Sequence, residues 1–214
     1  MTEYRRIPGQ PDLMIQDVKA SSDKVHEYFI QEVLGGDGTG FGGVTAVGHS
    51  AGGHLALLCL GRTNGRNSFQ SSPPFTTVGT DTCSSPPTTT TTTTTLRAVV
   101  ALAPVADLKA AEDLQLDDQA VVAFLGPCVA ASQRQDLDPS LLNYGKNTPI
   151  FVIHGSKDIR VPVEMSRYVT KKLKDAGERI EYVELDNVGH FEMIDSSFGA
   201  VREALSAGLH FAFT

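Results

Sequence analysis

Residues 44–60 read Val44-Thr45-Ala46-Val47-Gly48-His49-Ser50-Ala51-Gly52-Gly53-His54-Leu55-Ala56-Leu57-Leu58-Cys59-Leu60. An apolar, β-branched run stops at Gly48-His49-Ser50-Ala51-Gly52, and a helix-forming run follows without interruption. Glycines flank a serine where an extended segment must reverse sharply into a helix. This is the Gly-x-Ser-x-Gly elbow, whose geometry lifts the hydroxyl above a sheet. It also sets that hydroxyl beside a helix N-terminus, whose free amides stabilise negative charge. A serine is a poor nucleophile until a base takes its proton, so the rest of the chain must supply an acid and a base.

Upstream, Ile15, Val18, Ser22, Val25, Phe29 and Val33 fall three or four residues apart, which predicts a helix of about twenty residues. Asp12 can cap its start and Gly35 can end it. Residues 35–43 hold six glycines in nine positions. No Lys-Ser/Thr pair follows them and the spacing does not suit a dinucleotide fingerprint, so a flexible connector is expected rather than a phosphate loop. Downstream, the helix over 51–60 is apolar on nearly every side and should be buried against the sheet, with Gly61 as its stop.

Residues 64–95 are dense in Ser, Thr, Pro and Gly and end in eight consecutive threonines. Such a segment cannot bury enough apolar surface to order itself and is expected to be a disordered insertion inside one domain spanning 1–214. Loop closure entropy grows only logarithmically with length, so the fold tolerates it. Order returns with a buried strand over 97–103, helical segments over 108–125, and a break at Gly126-Pro127. A short turn is expected at Asp138-Pro139-Ser140, then a strand over 149–154. Pro162 suits the first turn of a helix with Met165, Tyr168, Val169 and Leu173 as its buried stripe and Gly177 as its end. A last strand over 180–185 precedes a helix capped by Asp195, with Phe198, Val201, Leu205 and Leu209 on one face.

Strands that alternate with helices and read as continuous apolar runs predict an α/β fold. It is expected as a three-layer α/β/α sandwich around a mostly parallel sheet. Sites in such sheets lie beyond the carboxyl ends of the strands. Ser50, Asp107, Asp158 and His190 all fall at or just after such ends.

The bulk composition narrows the function. A net charge of −7 argues against a general nucleic-acid binder. No apolar run approaches the roughly 20 residues that span a bilayer. The first residues, Met-Thr-Glu-Tyr-Arg-Arg, lack a secretory core, so a cytoplasmic location is expected. Cys59, Cys83 and Cys128 are sparse and lack metal-site spacing, and Cys59 reads as a buried thiol.

Six histidines compete for the base. His26 and His210 lie on helices, and His49 should point away from Ser50. His54 should pack or bond to backbone within a buried helix, and His154 is placed to support a loop. His190 sits after the last strand, where it can reach across the strand ends, and is the best candidate. The order Ser, Asp, His is satisfied by Asp158 or Asp107. Asp158, in a compact turn before Val161-Pro162, is favoured, and Asp107 fits a helix cap.

Gly48 through Ala56, His154-Gly155-Ser156-Lys157-Asp158 with Val161-Pro162, and Gly189-His190-Phe191 together resemble the α/β-hydrolase superfamily. The likeness is nearest to its esterase/lipase and kynurenine-formamidase-like branch. The resemblance implies Ser50 as nucleophile, Asp158 as acid, His190 as base and the Ala51 amide as an oxyanion donor. It also implies a small-molecule ester or activated amide as substrate, with no metal or organic cofactor. Members of this branch carry an earlier strand ending in a His-Gly-Gly loop that gives a second oxyanion donor. Residues 1–43 contain no such loop. The chain is therefore expected to begin partway through the fold, with an exposed sheet edge open to self-association. Loss of one oxyanion donor typically costs about 3–4 kcal/mol of transition-state stabilisation. A serine hydrolase is the leading expectation. A catalytically impaired interaction module, or a fragment of a longer gene product, is the alternative. A peptidase would need a selecting domain for which the chain has no room.

Overall fold

The computed structural model describes residues 4–33, 43–63, 66–67 and 96–214. Four parallel strands form the main sheet: β1 (Val44–His49), β4 (Leu96–Leu102), β5 (Ile150–Gly155) and β6 (Ile180–Leu185), in the spatial order β1-β4-β5-β6. Two short strands, β2 (Arg62–Thr63) and β3 (Arg66–Asn67), pair antiparallel beside it. The helices are α1 (Pro11–Tyr28), α2 (Ala51–Leu60), α3 (Leu108–Asp113), α4 (Leu116–Leu125), α5 (Val163–Asp175) and α6 (Gly199–Phe213).

Strand alternation explains the layers. Val99 and Ala101 of β4, with Ile150 and Val152 of β5, face a core shared with Ile15 of α1, Leu55 of α2 and Met165 of α5. Val100, Leu102, Phe151 and Ile153 face the opposite way, onto Val201 and Ala204 of α6. The central runs of both strands, 98–102 and 150–153, are apolar on both faces because both faces are covered, which is the parallel-sheet signature read in the sequence. The three-layer α/β/α arrangement is as expected. The register pairs His49 with Leu102 and Gly155 with Leu185, so the carboxyl ends finish together on one side of the sheet.

Several local expectations need correction. The first helix keeps α geometry only to Tyr28 and widens to a π turn over Phe29–Val33, and Gly35 lies outside the described residues. Its expected apolar stripe is buried only at the N-terminal end: Ile15 is buried, whereas Val25, Phe29 and Val33 are exposed. Tyr168 is half exposed, because a residue one position off the Met165–Val169–Leu173 line turns its ring toward solvent beside Lys172. Asp195 does not cap the last helix. It accepts from the Ser197 amide at 2.8 Å, and α6 starts later, at Gly199, without a side-chain cap. Pro162 sits one residue before α5 rather than within its first turn. The glycine-rich connector is outside the described residues apart from Gly43, and the Thr-rich insertion apart from Arg66–Asn67.

The turn from β1 into α2 is among the tightest junctions of the described residues. A Cβ built on Gly48 would lie 2.2 Å from the Gly52 carbonyl oxygen, whereas one on Gly52 meets nothing within 4 Å. Gly53 is also tight, its Cβ position lying 3.0 Å from Pro104. The first glycine of the motif is therefore a steric requirement and the second is not. Gly48→Ala should destabilise the protein by about 3 kcal/mol or more, as backbone overlap does. Gly52→Ala should leave the melting temperature unchanged or slightly raised. Thermal melts of the two variants beside wild type check the contrast.

Candidate active site

Ser50 follows β1 with φ 56° and ψ −120°, a left-handed backbone that a non-glycine residue adopts at a cost of roughly 1–3 kcal/mol. The strain is held by neighbours. The Ser50 amide donates to the Leu102 carbonyl at 2.8 Å, and the His54 amide donates to the Ser50 carbonyl at 3.1 Å, starting α2. Ala51 is the first residue of that helix, so its amide has no intrahelical acceptor and is free for an anion.

Asp158 follows β5 and its carboxylate is fully buried. One oxygen, Oδ1, accepts from the amides of Arg160 at 2.8 Å and Val161 at 2.9 Å. The other, Oδ2, lies 2.7 Å from His190 Nδ1 and 3.2 Å from His154 Nε2. Burial alone would push this carboxyl up. The hydrogen bonds from His154, His190 and the two amides outweigh it and hold the group well below the usual carboxylate range. Because Oδ2 only accepts, His190 must carry its proton on Nδ1, which leaves Nε2 as a free base. Asp107, the other candidate acid, is a helix cap: it accepts from the Ala110 amide at 2.8 Å at the start of α3.

The remaining histidines sort by environment. His54 is buried, with Nδ1 2.7 Å from the Val105 carbonyl, and burial pushes its pKa down. His154 is fully buried between Ser166, 2.7 Å from Nδ1, and the Val161 carbonyl, 3.0 Å from Nε2. It braces the turn that carries Asp158, as its position suggested. His210 is exposed on α6. His49 departs from expectation. Its ring lies against that of His190, centroids 4.5 Å apart, and its Nε2 is 3.0 Å from the His190 carbonyl. Alternation along β1 could not reveal this, because the partner arrives from a loop 141 residues away. Cys59 is half-buried, and burial pushes its thiol up to about 11, which disfavours the thiolate form a nucleophile needs.

Ser50, Ala51, His49 and His190 line one cavity of about 690 Å³. Much of its lining is apolar, including Leu55, Leu108, Val121 and Phe124. Tyr4, Ile7 and Pro8 from the start of the chain also line it. At the mouth, Arg160 pairs with Asp117 and sits 5.8 Å from the Phe191 ring centre. No hydrogen bond joins the Ser50 hydroxyl to His190 among the described residues; the two groups face the same space. Among the described residues, no group of three or more His, Cys, Asp or Glu is placed to hold a metal ion. No described helix is long and apolar enough to cross a membrane.

A family model described as BD-FAE matches residues 41–173, which include Ser50 and Asp158. The chain is 30% identical to esterase LipQ of Mycobacterium tuberculosis over 159 residues, covering 69% of this chain but 32% of that protein. Among solved structures, esterase Est2 of the Planctomycetes species Thermogutta terrifontis, with propionate bound, has a TM-score of 0.61 and 21% identity. The superposition covers 93% of this chain and 64% of Est2. A truncated carbohydrate esterase from gut microbiota has a TM-score of 0.64 and 20% identity, over 94% of this chain and 69% of that one. The chain thus spans about a third of the curated relative and about two thirds of these structures.

The Asp158 carboxylate carries a pH prediction. Its folded pKa lies below the ordinary value, so its stabilisation is complete above the unfolded pKa of about 4 and is lost as pH falls through the folded value. Asp158→Asn should cost about 2 kcal/mol at pH 7, as loss of charge-assisted hydrogen bonds does. Its deficit in melting temperature relative to wild type should shrink as the pH is lowered from about 5 toward 3.

Proposed function

The chain belongs to the BD-FAE family of α/β-hydrolase esterases and lipases, and from that premise we propose that it is a serine hydrolase acting on a carboxylic ester or activated amide. One observation carries the reading. The Asp158–His190 pair, closed at 2.7 Å, opens onto the cavity that Ser50 lines. Esterase LipQ, similar over 69% of the chain, supports the same class of reaction.

In this reaction the Ser50 hydroxyl attacks the substrate carbonyl while its proton moves to His190 Nε2. Asp158 holds the tautomer and faces the imidazolium that forms. The carbonyl oxygen, now negative, accepts from the Ala51 amide. Collapse of the tetrahedral species breaks the bond to the alcohol or amine, which leaves with the proton from His190. Water then attacks the acyl group on Ser50, giving its proton to His190, and the carboxylic acid is released as Ser50 recovers a proton. No step needs a metal or organic cofactor. The lack of a hydrogen bond between Ser50 and His190 favours a second reading, a hydrolase-like module with impaired catalysis, and the same experiment separates the two.

Wild type should be labelled by a fluorophosphonate probe and should hydrolyse short-chain p-nitrophenyl esters. Ser50→Ala should do neither, and His190→Ala should lower the rate at least about a hundredfold. Equal labelling of wild type and Ser50→Ala would remove Ser50 as nucleophile. Absence of both labelling and turnover in wild type would favour the impaired module.

A further inference from the structure

We infer that His49, the residue immediately before the nucleophile, is a positioning residue that sets the spacing between Ser50 and His190. The inference rests on the hydrolase reading above for its kinetic consequence, but its structural content stands apart from it.

The loop that carries His190 leaves β6 after Leu185 and is tied down from two sides. On the acid side, the Lys157 amide donates to the Val188 carbonyl at 2.9 Å, and the Asn187 amide donates to the Ser156 hydroxyl at 3.0 Å. The His190 ring itself is held by Asp158. All of these anchors belong to the turn after β5. On the nucleophile side the anchor is His49, whose Nε2 donates to the His190 carbonyl at 3.0 Å. A carbonyl only accepts, so the bond requires the Nε2–H tautomer. The His49 ring also lies tilted against the His190 ring, 48° between planes, which limits where that imidazole can swing.

β1 and β5 are not neighbours, since β4 lies between them. Val188 and Met193 of that loop also pack in the core beside Val100 and Leu102 of β4. Without His49, however, the hydrogen bonds of the base's loop described above would run only to the acid strand, two strands removed from Ser50. His49 bonds back to the base from the backbone position adjoining Ser50, so it couples the two reacting groups through one short connection. Since Ser50 and His190 make no direct hydrogen bond, that connection has the larger part in fixing their separation. Burial and the neighbouring His190 ring both push the His49 pKa down. A neutral His49 is what the site needs when His190 takes up its proton.

Three variants test this. His49→Phe keeps a ring and removes the donor. His49→Gln removes the ring and keeps an N–H that can reach the carbonyl. His49→Met lacks both and replaces His49→Phe if the larger ring prevents folding. With a p-nitrophenyl ester, kcat of the donor-less variant should fall about ten- to a hundredfold with KM within about twofold, as displacement of a catalytic group by an ångström or less produces. His49→Gln should recover most of kcat. In parallel, the His190 ring nitrogen and proton shifts should move in His49→Phe and return toward wild type in His49→Gln. An effect of ring contact alone would give the reverse order. A donor-less variant within twofold of wild-type kcat, or equal losses in His49→Phe and His49→Gln, overturns the inference while leaving the hydrolase reading intact. A wild type that neither labels nor turns over, yet shows the His49-dependent shifts, removes the hydrolase reading and leaves the positioning contact standing.

Discussion

The left-handed backbone at Ser50 is the constraint on which the rest of the site depends. A serine at φ 56° is held there by a hydrogen bond to Leu102 on the next strand and by the absence of a side chain at Gly48. Relaxing it would rotate the hydroxyl away from the strand ends and shift the first turn of α2, taking the Ala51 amide with it. That helix is nearly all apolar and buried, so it cannot shift without opening the core it shares with β4. The stability of the core thus maintains a conformation that local energetics disfavour, which is how strained residues persist at functional sites.

Much of this was legible in the sequence, and the reasons are specific. The central strands, buried on both faces, announced themselves as unbroken apolar runs, and α2 did so by lacking a polar face. Glycines read well as punctuation, but not always for the expected reason. Gly61 does end α2, yet it has φ −69°, and what excludes a side chain there is the Leu142 methyl 2.4 Å from its Cβ position. The outer end of α1 was misread because periodicity reports an apolar stripe and not what covers it. Val25, Phe29 and Val33 keep helical spacing while remaining exposed.

The site divides along the same line. The choice of Asp158 over Asp107 followed from local turn chemistry, and each carboxylate does what its own neighbours dictate: one accepts from a helix amide three residues on, the other from amides two and three residues on and from two imidazoles. His49 was not legible. Its neighbours in sequence fix where its Cα sits, while its partner is a backbone carbonyl from a distant loop. Long-range contacts to backbone leave no mark on side-chain identity, so no motif encodes them.

The two imidazoles on Asp158 are not equivalent, and their difference bears on the role proposed for the acid. His154 is fully buried; Nε2 faces two acceptors, Val161 O and Asp158 Oδ2, and Nδ1 faces the Ser166 hydroxyl. Those partners fix its proton on Nε2 and let Ser166 donate to Nδ1, so every polar atom of the ring is occupied. It can orient the carboxylate but has no lone pair free for a substrate. His190 has Nδ1 engaged by that carboxylate, which leaves the lone pair on Nε2, and it lines the cavity that Ser50 also lines. Two amides and His154 satisfy the carboxylate before His190 is counted, which keeps Asp158 ionised and, in the proposed reaction, would keep it from taking the proton that passes to His190. In the proposed reaction, a proton taken from Ser50 would therefore stay on His190 until the leaving group collects it. On that proposal, the direction of proton flow follows from which ring is already full.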